Sequence, residues 1–183
     1  QVEEKQNMTI NTMGKLYDDK QTPGNASVAR TAHKLNDRSN GKPLRVLTEE
    51  QWAFWKSNGY VIVTNAVPAA NVEKMANLLW EFEEKNPHNP ETWYAEARAE
   101  IQMKELNTGM VEMYNHPYMW QNRMHQKVYD VFVDIWGIEE LWVTIDRANL
   151  NFPVRPGHEY KAFIHFDIDT SMVPKPVNVQ GVL

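Results

Sequence analysis

The chain takes up a regular apolar rhythm only after residue 43. Residues 1–43 are rich in Asn, Asp, Lys, Thr and Gly and offer few large apolar side chains. That pattern predicts a polar extended or disordered arm, with the domain spanning 44–183. The first helix is announced at Leu47-Thr48. Thr48 is a good N-cap, Gln51 stands three residues on as its capping-box partner, and Leu47 can staple onto Trp52. The helix carries Trp52, Phe54 and Trp55 and ends at Gly59, a suitable C′ residue. A short strand over 60–64 is expected to follow. A second helix is predicted over 69–84, where Val72, Met75, Leu79 and Phe82 recur at helical spacing. The run Lys85-Asn86-Pro87-His88-Asn89-Pro90 breaks it. Residues 91–105 read as a weakly amphipathic helix. Over 117–136, Trp120, Met124, Val128, Val131 and Ile135 form a stripe that predicts one helix packed on a core and closed by Gly137.

The period then changes. Residues 141–151, 160–168 and 177–183 read as strands, separated by turn-rich segments at 153–157 and 174–176. Helices first and strands later indicate an α+β chain. The last strand-like run reaches Leu183 with no turn or cap, so the pattern predicts a sheet cut short by the end of this sequence.

Composition narrows the function. A chain of 183 residues with 42% hydrophobic content can bury a core. A net charge of −5 without a basic block argues against nucleic acid and anionic membranes as partners. No apolar run is long enough to span a bilayer, and no signal-peptide pattern opens the chain. With no Cys, disulfide scaffolds, zinc–thiolate sites and thiol catalysis are excluded. These features give the expectation of an intracellular, cytoplasmic protein, with a peroxisomal address left open.

The chemistry concentrates in His165-Phe166-Asp167. In a strand, Ile164, Phe166 and Ile168 face one way and His165 and Asp167 the other, so an imidazole nitrogen and a carboxylate oxygen converge. That pair is two thirds of the 2-His-1-carboxylate triad that holds non-haem iron with open positions. The plain alternative is a strand histidine satisfied by a neighbouring carboxylate. Upstream, Arg147, Asn149 and Asn151 fall on one strand face. A cation and two amides in line suit a small anionic ligand through charge-assisted hydrogen bonds. Equally, Arg147 could pair with Asp146 while the amides cap turns.

The order of LTEEQWAFWKSNGYVIV (47–63), YDVFVDIWG (129–137), LWVTIDRANLNFP (141–153), HFDIDTS (165–171) and VQGVL (179–183) resembles the phytanoyl-CoA dioxygenase family. The resemblance implies an Fe(II)- and 2-oxoglutarate-dependent dioxygenase that hydroxylates a small organic substrate with dioxygen and decarboxylates 2-oxoglutarate to succinate. It implies a double-stranded β-helix (jelly-roll) core flanked by N-terminal helices. His165 and Asp167 become two iron ligands, Asn149 and Asn151 candidate co-substrate contacts, and Gln180 a residue lining the same cavity. Arg147 either joins them or serves Asp146. Members of the family complete the triad with a downstream His and bind the far carboxylate of 2-oxoglutarate with an Arg beyond it. The 16 residues after Asp167 contain neither, so the chain is expected to be the N-terminal portion of such a domain and inactive alone. His158 and His125 are weaker substitutes for the missing ligand.

Other classes fit parts of the pattern. A non-catalytic jelly-roll binding or scaffold domain would keep the pocket without the metal. Asp167 and Asp169 also suit a Mg²⁺-dependent phosphohydrolase in which the first Asp attacks phosphorus, though little chain follows to build that fold. A Ca²⁺ loop starting at Asp167 fails, because Met172 stands where the loop requires Gly.

Overall fold

The computed structural model describes residues 34–95, 109–157, 159, 164–171, 173 and 177–183. Residues 1–33 of the arm expected over 1–43, the later part of the helix expected over 91–105, and His158 lie outside the described residues. The chain divides into two compact units: Gln1–Asp37 with Ile164–Val182, and Arg38–Phe163 with Leu183.

Among the described residues, all the regular elements belong to the second unit. Helix α1 spans Glu49–Asn58 and is built as its sequence dictates. The Thr48 side chain accepts from the Gln51 N–H, and the Gln51 side chain accepts from the Thr48 N–H at 3.0 Å. Glu49 and Glu50 sit in the first turn and Lys56 in the last, complementing the helix dipole. Gly59 ends the helix in the left-handed region at φ 76°, donating its N–H to the Trp55 carbonyl at 2.9 Å. Residues 60–64, expected as a strand, form none: Gln51 Nε2 donates to the Ile62 carbonyl, and Lys127 Nζ donates to the carbonyls of Thr64 and Asn65 at 2.9 and 3.0 Å. Side chains thus meet carbonyls that a strand partner would have taken.

Helix α2 spans Ala69–Phe82. Met75, Leu78, Leu79 and Phe82 pack against the core, whereas Val72, predicted on the same stripe, is half exposed. The helix turns off through Glu84 at φ 55°, and the Lys85 N–H reaches back to the Trp80 carbonyl at 2.9 Å. A 3-10 turn follows at Pro90–Thr92.

The single helix expected over 117–136 is two. Helix α3, Pro117–Arg123, and helix α4, Gln126–Trp136, are separated by His125, whose backbone is extended. Its imidazole Nδ1 accepts the Lys127 N–H at 3.3 Å, so His125 is the cap of α4. Met124, assigned to the buried stripe, lies at the break and is 63% exposed.

Strand β1, Met110–Val111, pairs antiparallel with β2, Ala148–Asn149, in the register Met110↔Asn149 and Val111↔Ala148. Val111, Met113, Met119 and Ala148 form the buried cluster against which α2 and Leu150 pack. The strand expected over 141–151 is therefore reduced to two residues, Ala148–Asn149. Trp142 is 92% exposed, and without a neighbour to fill the ladder or cover the face a strand gains little. Among the described residues of 160–168 and 177–183, no strand forms either.

Candidate metal centre

His165, Asp167 and Gln180 meet within the first unit. His165 Nε2 lies 3.0 Å from Asp167 Oδ1, and each side chain is half exposed. Asp167 Oδ2 accepts from Gln180 Nε2 at 2.7 Å. The convergence predicted from strand alternation is present, although residues 164–166 form no strand and the chain bends at 167–168. The Gln180 amide, with His165 beside the other oxygen, holds the Asp167 carboxyl below the usual carboxylate range against the opposing effect of burial.

Two donors bonded to one ion at about 2.1 Å and at right angles stand about 3.0 Å apart. The observed separation therefore fits two adjacent positions of a metal site, and equally a direct charge-assisted hydrogen bond. The donor set is also right for iron: one imidazole and one hard oxygen, both open to solvent. It is incomplete, since no group of three or more His, Asp or Glu able to hold an ion occurs among the described residues. His125 is engaged as a helix cap. The next carboxylate, Asp169, is turned onto its own loop and accepts from the N–H and Oγ of Ser171 at 2.8 and 2.6 Å. Those two bonds, the hydroxyl's first, hold its carboxyl below the usual range.

The other candidates belong to the second unit. Continuing the β1–β2 register by one pair sets Glu112 opposite Arg147, and their side chains form an ion pair at 3.6 Å. Tyr114 Oη donates to the second Glu112 oxygen at 2.5 Å. That bond, helped by burial and by the Glu112 charge, pushes the Tyr114 phenol up despite Arg147 nearby. Asp146 serves Arg147 through the backbone, accepting its N–H at 2.6 Å. The guanidinium is thus set beside Glu112, a residue that nothing in the linear pattern marks. Asn149 lies in β2 opposite Met110, and both Asn149 and Asn151 are exposed. Asn151 comes so close to Gly109 that a Cβ there would overlap its amide. Gln180 carried no signal as a partner of Asp167 either, because 13 residues of sequence separate them and no local rule fixes their meeting.

No protein-family model, curated protein or solved structure gives a significant match to this chain. No helix among the described residues is long and apolar enough to cross a membrane.

Proposed function

We propose that the chain is part of an Fe(II)- and 2-oxoglutarate-dependent dioxygenase with a jelly-roll core, in which His165 and Asp167 are two of the iron ligands. The observation that carries this reading is the approach of His165 Nε2 to Asp167 Oδ1 at 3.0 Å, with both side chains half open to solvent. His165 would supply an imidazole nitrogen and Asp167 one carboxylate oxygen, with Gln180 occupying the other oxygen. Bound there, Fe(II) with 2-oxoglutarate supplies the oxidising chemistry for C–H hydroxylation coupled to decarboxylation. A third ligand has to come from outside the described residues. Asn149, Asn151 and Arg147 enter as co-substrate contacts by sequence resemblance alone, and Arg147 is already engaged with Glu112.

Anaerobic titration with Fe(II), without and with 2-oxoglutarate, tests the reading. Binding that tightens with 2-oxoglutarate, shows a visible charge-transfer band and is lost in His165→Ala supports it. Equal binding by wild type and His165→Ala refutes it and leaves His165–Asp167 as a surface ion pair.

A further inference from the structure

The geometry points to Gln180 as a positioning residue that confines Asp167 to one-oxygen coordination of a bound cation; this rests on the metal-site reading above. The two Asp167 oxygens are in different situations. Oδ1 faces His165 Nε2 at 3.0 Å, and Oδ2 is taken by Gln180 Nε2 at 2.7 Å. An ionised carboxylate only accepts, so the Gln180 atom facing it is the donating nitrogen. Gln180 is itself exposed, and ordering so long a side chain costs rotamer entropy that a charge-assisted bond offsets.

The consequence concerns the number of open positions. A carboxylate free at both oxygens can chelate and use two metal positions, whereas one whose outer oxygen is already bonded donates once. A centre that must also admit a chelating 2-oxo acid and dioxygen gains one position from that restriction. Partners of this kind orient metal ligands, and their loss typically weakens metal affinity 10- to 100-fold. Because Gln180 is exposed, replacing it leaves packed structure undisturbed.

The test is titration of the full chain with Co(II), read by visible absorption, for wild type, Gln180→Ala and the equal-sized Gln180→Glu. In Gln180→Ala the Co(II) affinity is expected to fall about tenfold or more, whereas Gln180→Glu adds a charge that attracts the cation and is read by its spectrum alone. Their absorption bands should shift in position and intensity as Asp167 changes its mode of binding, while the thermal transition of the metal-free chain stays put. Affinity unchanged from wild type in Gln180→Ala, with the spectrum unchanged in both variants, would overturn the role of Gln180 and leave the metal site standing. Absence of Co(II) binding by the wild type, or undiminished binding by His165→Ala, overturns the metal site itself and the role of Gln180 with it.

Discussion

The buried carboxylate of Asp134 accepts the backbone N–H of Leu47 at 2.9 Å, tying helix α4 to the chain that leads into α1. The same side chain takes the N–H of Val46 at 2.9 Å and of Arg45 at 2.7 Å. Three consecutive amides are thereby satisfied by one acceptor, and the Leu47 amide lies where water cannot replace it. Asp134→Ala strands those donors and is expected to destabilise the second unit by about 3 kcal/mol, with Asp134→Asn costing roughly half because one acceptor oxygen remains. Urea denaturation followed by tryptophan fluorescence measures both. By contrast, Arg45 pairs with Asp130 at 3.0 Å on the surface, so Asp130→Ala should cost under about 1 kcal/mol.

Thr48 and Gln51 form a reciprocal cap at the start of α1. Thr48→Ala removes the acceptor for the Gln51 N–H and is expected to cost about 1 kcal/mol, whereas Thr48→Ser should be near neutral. Thermal unfolding distinguishes the two. A loss no greater for Ala than for Ser would show that the cap contributes nothing.

Gly109 has φ 73°, and a Cβ added there would meet the Asn151 side chain. Gly109→Ala should cost about 1 kcal/mol for the left-handed backbone, plus the displacement of Asn151. In an Asn151→Ala background only the backbone part remains, so the double-mutant cycle should be less than additive. Strict additivity would place the Asn151 amide away from Gly109.

Tyr114 is the clearest pH probe. Its phenol is raised by donation to Glu112, so the folded state holds the proton more tightly than the unfolded chain. The stabilisation is fully present below the unfolded tyrosine value of about 10 and is lost as pH rises through the higher folded value. Wild type should therefore show a steeper alkaline loss of stability than Tyr114→Phe, with identical profiles at neutral pH apart from a constant offset. Glu112→Gln should bring the phenol back toward its ordinary value in an ultraviolet titration. An unmoved midpoint would contradict the bond.

Much of this architecture was legible in the residues because local physics decides it. Thr48, Gln51 and Gly59 specify the two ends of α1 through backbone hydrogen bonds made within a few residues. The α2 stripe likewise follows from helical period, and Met75, Leu79 and Phe82 do face the core. His165 and Asp167 could be expected together because two side chains at i and i+2 have little room to diverge, and they stand 3.0 Å apart. Their chemical role as iron ligands remains the proposal made above.

Tertiary structure decided the rest. The apolar stripe over 117–136 reads as continuous, yet His125 caps a second helix and Met124 turns outward, because a cap competes with one more turn of helix at small energetic difference. Strands depend on a partner elsewhere in the chain. Only Ala148–Asn149 of the run 141–151 finds one, at Met110–Val111, and that register alone sets Glu112 against Arg147. The Gln180 amide reaches Asp167 for the same kind of reason, since 13 residues separate them and no local rule fixes the path between. The sequence by itself determined the caps of α1, most of the core face of α2 and the nearness of His165 and Asp167, whose interactions close within a few residues. Which side chains hold those groups from a distance was settled only by folding, where packing and register choose among partners that the linear order leaves equivalent.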